Sequence, residues 1–180
     1  MNDLQQKEHI IADWFSYHET ELIQTADYIF HHPEPAYEEV LSSRYLADYL
    51  KNKGFSVSEG TAGIDTAFTA EWGNGKPVVG FLAEYDALAG VGHACGHNLL
   101  GTAVCGAACA LKADMEHTNA SGTIRVYGCP AEEIMSGKIV MDKAGVFNDL
   151  DAAVTWHPFD RNRVSNDIWQ SQDIKNYTFH

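Results

Sequence analysis

Helix-period and strand-period segments alternate along this sequence, and the alternation predicts an α/β layered domain with a largely parallel sheet. Two runs support that reading. Residues 77–82 are nearly all apolar, as expected of a strand buried on both faces. Residues 99–111 have a helical period and are rich in Ala and Gly, which suits close packing on a sheet.

The elements follow in order. Ile11, Trp14, Phe15, Leu22, Ala26, Ile29 and Phe30 recur at three- and four-residue steps and predict a first helix, ended by His31-His32-Pro33-Glu34-Pro35. Tyr37, Val40, Leu41, Tyr45, Tyr49 and Leu50 share one face of a second helix, with Gly54 as its stop. Phe55 and Val57 then alternate, and residues 64–72 read as a strand. Gly73-Asn74-Gly75 reads as a hairpin turn into the strand at 77–82, and not as a phosphate loop, because no helix follows it. After the 99–111 helix come a strand at 123–127, a helix at 136–144 and an apolar strand at 152–155. Residues 174–179 read as the start of another strand, without a turn or cap after it.

Twelve basic against 25 acidic residues give a formal charge of −13 over 180 residues, with no basic stripe to neutralise phosphates. That balance excludes nucleic acid and an anionic membrane as main partners. A composition 45% hydrophobic and 21% charged is that of a globular chain with one core. Met1-Asn2-Asp3-Leu4-Gln5-Gln6 lacks the basic and apolar regions of a signal peptide, and no apolar run reaches the ~18–20 residues of a membrane span. Four cysteines make no disulfide scaffold, so a cytoplasmic location is expected.

Three polar loops each follow a predicted strand. The first is Glu84-Tyr85-Asp86-Ala87-Leu88 with Gly92-His93-Ala94-Cys95-Gly96-His97-Asn98; the second is Cys129-Pro130-Ala131-Glu132-Glu133; the third is Trp156-His157-Pro158. In open α/β sheets the ligand crevice lies beyond the carboxyl ends of the strands, so these loops should converge there. Gly96 between Cys95 and His97 lets both side chains turn toward one point. Thiolate, imidazole and carboxylate suit Zn²⁺, and the carboxylate also suits Mn²⁺ or Co²⁺. Paired Glu132-Glu133 suits a division of labour, with one carboxylate on a metal and its neighbour free to take a proton from water. His93 reads equally as a ligand or as a residue behind the ligands. Cys105 and Cys109, four apart among Ala, Val and Gly, read as small core residues.

Taken in order, these motifs resemble the two-metal aminoacylase/carboxypeptidase family (metallopeptidase family 20), and within it the amidohydrolase branch that includes aminobenzoyl-glutamate hydrolases and related dipeptidases. His32-Pro33-Glu34-Pro35-Ala36-Tyr37-Glu38-Glu39 is similar to that branch, and His93-Ala94-Cys95-Gly96-His97 typifies it. The resemblance implies a zinc-exopeptidase-like, three-layer α/β/α fold. It also implies hydrolysis of an amide bond in N-acyl amino acids or dipeptides by metal-bound hydroxide. Cys95, His97, Glu133 and His157 would be metal ligands, with two ions of Zn or Mn in the full-length site, and Glu132 the general base. Asp86 would stand behind the ligands or on the substrate side, and Asn98, replacing an Asp of many relatives, would stand behind the ligands.

Residues 1–163 are then expected to be the first part of a catalytic domain, and 164–180 a connection and the first strand of a lid through which the full-length protein dimerises. By that likeness one further histidine ligand is missing, and the chain alone is expected to be inactive toward its small-molecule amide. A non-catalytic module built round one closed four-ligand metal site is the competing expectation.

Overall fold

The computed structural model describes residues 3–135 and 137–160. The expected lid strand, 164–180, lies outside the described residues.

Helix α1 (Asp3–His31) and helix α2 (Val40–Asn52) open the chain. α2 begins three residues later than its apolar face predicts, because Tyr37 adopts a left-handed conformation (φ 65°). The Glu34 carboxylate then accepts from the amides of Leu41 and Ser42 at 2.8 and 2.9 Å, satisfying orphan donors of the first turn.

Five strands follow: β1 (Ser56–Glu59), β2 (Phe68–Asn74), β3 (Val78–Ala83), β4 (Gly122–Gly128) and β5 (Ala152–Val154), in the spatial order β1-β2-β4-β3-β5. β3 pairs in parallel with β4 and with β5, whereas β2 runs antiparallel to both of its neighbours. Four strands therefore point one way and β2 alone is reversed, so the sheet is mixed.

Two expectations are corrected here. Gly73-Asn74-Gly75 is not a hairpin turn: Gly73 and Asn74 belong to β2 and pair with Thr123 and Gly122 of β4, which lies between β2 and β3. The strand predicted from residue 64 starts only at Phe68, since residues 64–67 form a turn in which the Ala67 amide donates to the Ile64 carbonyl at 3.0 Å.

Helix α3 (His97–Thr118) runs past its apolar stretch to Asn119, which caps it in the left-handed region. Gly101 and Gly106 explain its composition. A Cβ on Gly101 would lie 2.6 Å from the Glu84 carbonyl oxygen, and one on Gly106 would lie 3.1 Å from Leu22 of α1. α3 is thus pressed between the end of β3 and α1. Cys105 and Cys109 are buried there among core residues, as read from the sequence.

The strand alternation divides the core. Phe81, Ala83, Ile124 and Val126 face α1–α3, while Leu82 and Tyr127 face helix α5 (Gly137–Lys143) and the turns after it, through Met141, Val146, Phe147 and Leu150. Three layers result. A short helix α4 (Glu132–Met135) precedes α5.

Candidate metal centre

β4, β3 and β5 are parallel neighbours, so their carboxyl ends lie side by side, about 5 Å from one strand to the next. The loops leaving them meet as the sequence predicts. Cys95, His97 and His157 each offer a donor atom within 4.8 Å of the others, and so do Glu84, His97 and Glu132.

Gly96 closes the first of these groups. It sits at φ 82°, and a Cβ there would lie 2.9 Å from Pro158 Cγ, so only glycine lets the third loop seat on the Cys-Gly-His turn. The Cys95 thiol and His157 Nε2 are 3.3 Å apart. His157 Nδ1–H donates to the Pro158 carbonyl at 2.9 Å, which leaves the Nε2 lone pair facing the cluster.

His97 is fixed the same way. Its Nδ1–H donates to the backbone oxygen and to Oδ1 of Asp86, both at 3.0 Å, so Nε2 is the free nitrogen. That nitrogen is 3.4 Å from Glu84 Oε2 and 3.8 Å from Glu133 Oε1. Asp86 Oδ2 accepts from the Glu133 amide at 2.9 Å, so one buried carboxylate orients a residue from each of two loops. Burial raises the Asp86 pKa, but the His97 hydrogen bond and the Glu133 amide prevail and hold it below the ordinary value. For His97 burial lowers the pKa, and Asp86, Glu84 and Glu133 together bring it above.

The residues fit a divalent cation. His97 Nε2 and Glu133 Oε1 are buried without a hydrogen-bond partner, although nearly all buried polar atoms have one. The Cys95 thiol is pushed up to about 12, by burial first and then by Glu133, Glu132 and Glu84. That is a concentration of negative charge which a cation would neutralise. Glu132 is also raised, by burial and then by Glu84.

Two expected neighbours fall elsewhere. Asn98 is buried, but its side-chain amide donates to the Ala26 carbonyl of α1 at 3.3 Å, so it ties α3 to α1; His97 is oriented by Asp86. His93 precedes α3, whose cap is Gly96, and shares no helical face with His97. It is buried, its pKa lowered by burial and by the His97 charge, and it belongs to neither donor group.

Sequence reading passed over two acids. Glu84, quoted only as part of a motif, faces His97 and is ion-paired with Lys138 of α5. Glu39, fully buried, accepts from the Ala131 amide at 2.8 Å across 92 residues of chain, a contact that no local pattern announces.

No family model matches the chain. It is 48% identical over 150 residues to a subunit of the p-aminobenzoyl-glutamate hydrolase of Escherichia coli (strain K12), covering 74% of this chain and 31% of that protein. It is 38% identical over 142 residues to the Xaa-Arg dipeptidase of Mus musculus, covering 72% and 33%. It therefore spans about a third of the length of these curated relatives. Among solved structures, a dinuclear metal-binding peptidase of the M20 family from Bacillus subtilis matches with a TM-score of 0.68 at 27% identity, over 77% of this chain and 42% of that one. With sequence and fold in agreement, the chain belongs to metallopeptidase family 20, among the homologues of the p-aminobenzoyl-glutamate hydrolase.

Proposed function

We propose that this chain carries the metal-binding part of a hydrolase that cleaves an amide bond in N-acyl amino acids or dipeptides, aminobenzoyl-glutamate-like compounds among them. The observation that carries the reading is the meeting of Cys95, His97, His157 and Glu133 at one sheet edge, with His97 Nε2 and Glu133 Oε1 buried and unpartnered. These four would hold the metal, Zn²⁺ being favoured by the thiol and Mn²⁺ admitted by the carboxylate. A metal held there supplies Lewis acidity to water and to a substrate carbonyl.

The chain's own residues manage the protons. Glu132 takes a proton from the water whose oxygen attacks the amide carbon. As the carbon–nitrogen bond breaks, Glu132 returns that proton to the departing nitrogen, leaving a carboxylic acid and an amine, and the acid's remaining proton passes to the amine to give carboxylate and ammonium. Its raised pKa brings it toward the range in which one carboxyl can serve as base and then as acid near neutral pH. Asp86 keeps His97 in the tautomer that presents Nε2.

His157 is exposed and Cys95 half-buried, so water reaches the site from that side. Electrostatic stabilisation weakens where water enters, and the relatives are about three times as long. The 180-residue chain alone is therefore expected to turn over at trace levels, with a lid and dimer contact supplied by further sequence. The four cysteines are free thiols, which suits a reducing cytoplasm.

The test is Zn²⁺ or Mn²⁺ binding after dialysis, together with amine release from aminobenzoyl-glutamate and from Xaa-Arg dipeptides. Binding by the wild type, lost in Cys95→Ala and His157→Ala, is expected. A chain that retains no metal refutes the reading. A tightly held ion without hydrolysis by the longer protein identifies the closed, non-catalytic module instead.

A further inference from the structure

We propose that Glu39 is a positioning residue for the Glu132-Glu133 pair, and that it acts through the length of its side chain and not through its charge. The inference rests on the reading of Glu132 and Glu133 given above and extends it to a residue between the first two helices.

Ala131, immediately before the pair, adopts the left-handed conformation (φ 59°), which a residue with a Cβ rarely holds unless its surroundings impose it. Its amide donates to Glu39 Oε1 at 2.8 Å. Two residues on, the Glu133 amide donates to Asp86 Oδ2 at 2.9 Å. Glu132 is therefore flanked by two backbone amides, each held by a buried carboxylate from a distant segment. Fixing the turn at both ends fixes the direction in which the acids leave it.

Glu39 is built into the fold for this contact. It is fully buried, and the Thr66 hydroxyl donates to its other oxygen at 2.9 Å. The Thr66 carbonyl in turn accepts from the buried Tyr85 hydroxyl, next to Asp86 in the first loop. Among the described residues no Lys, Arg or His forms an ion pair with Glu39, and burial raises its carboxyl pKa. The partners are all neutral groups. An amide oxygen at the same reach would serve Ala131 equally well, and the Thr66 hydroxyl can rotate to accept from the amide nitrogen.

Glu39→Gln and Glu39→Asp separate reach from charge. The first keeps reach and removes charge; the second keeps charge and withdraws the acceptor by about one methylene, beyond hydrogen-bond distance of Ala131. Zn²⁺ affinity of the 180-residue chain is measured by competition titration, and the melting temperature with EDTA reports stability separately. Glu39→Gln is expected to bind Zn²⁺ within twofold of wild type, and Glu39→Asp about tenfold more weakly. Thr66→Val, which removes the other partner and leaves the Ala131 contact, is expected to lower the melting temperature without changing Zn²⁺ affinity. Ala131→Gly placed in the Glu39→Asp background is expected to restore part of the affinity, because glycine holds the left-handed conformation unaided. Equal affinity in Glu39→Asp and wild type, or loss in Glu39→Gln with retention in Glu39→Asp, overturns the inference alone. Absence of Zn²⁺ binding by the wild type overturns the metal-site reading beneath it.

Discussion

Replacing Asp86 by Asn tests the organisation of the site at the point where two loops depend on one side chain. The carboxylate accepts from His97 Nδ1–H at 3.0 Å and from the Glu133 amide at 2.9 Å, and it is fully buried. Asparagine has one side-chain acceptor, so whichever way its amide turns, an NH₂ group meets a donor. With the NH₂ turned toward His97, the Nδ1 proton keeps only the Asp86 backbone oxygen, and a shift of that proton to Nε2 would remove the lone pair presented to a metal. Leaving one buried donor unmatched costs about 1–3 kcal/mol. A domain of this size loses roughly 2–4 °C of melting temperature per kcal/mol, so a fall of about 5 °C is expected with EDTA present. Residues that orient metal ligands typically contribute 10–100-fold in affinity, and a 10–100-fold loss of Zn²⁺ affinity is expected. Calorimetric titration with Zn²⁺ and thermal melts on the same preparation supply both numbers. Asp86→Asn binding Zn²⁺ within twofold of wild type would refute the claim that this carboxylate sets the His97 tautomer.

Three further outcomes follow from the same geometry. The Cys95 thiol, raised to about 12, must lose its proton to become a ligand, so Zn²⁺ binding at pH 7.5 should release at least one proton, and Cys95→Ser should release about one fewer, as read from titrations in buffers of different ionisation enthalpy. In metal-free protein, the Asp86 contribution is present above its ordinary value of 3.8 and lost as pH falls through the lowered folded value. The His97 contribution is present below 6.5 and lost as pH rises through the raised folded value. The difference in melting temperature between wild type and Asp86→Asn, measured with EDTA, should therefore be greatest from about pH 4 to 6.5 and shrink on both sides. Gly101→Ala places a Cβ 2.6 Å from the Glu84 carbonyl oxygen, forcing α3 off the end of β3; a loss of about 1–3 kcal/mol is expected by urea unfolding, and an unchanged midpoint would contradict that packing.

What could be read from the sequence was local. The helical faces, the apolar β3 and the three polar loops are each stretches of neighbouring residues, and the rule that ligands gather at strand carboxyl ends converts such stretches into a site without knowledge of contacts. The strand order was not local. Gly73-Asn74-Gly75 carries turn chemistry, yet β4 enters between β2 and β3, because pairing is decided by which strand covers the edge and not by which comes next. The orientation of His97 was only half legible: of the two residues expected behind the ligands, Asn98 stands beside it in sequence and faces α1, whereas Asp86, eleven residues earlier, holds the ring. For the His97 ring the sequence neighbour was the wrong guide, since the first turn of α3 sends consecutive side chains to different faces.

The reversed strand β2 shows why some of the site had to escape such a reading. Its carboxyl end points away from the edge where the candidate ligands gather, so the strand-end rule assigns it nothing. Being antiparallel, however, it brings its amino end to that edge: Phe68 pairs with Gly128, the last residue of β4. Thr66, two residues before Phe68, is thereby placed beside the loop that leaves β4, where its hydroxyl meets Glu39 and its carbonyl meets Tyr85. The segment before α2 reaches the same edge through the pairing of Pro35 with Ala87. Three of the four forward strands thus supply the groups proposed to hold a metal, while the reversed strand and the interhelical segment supply the groups that hold the backbone beneath them. If that division is correct, substitutions at Thr66 should be felt in stability alone, and shortening Glu39 should be felt at the metal.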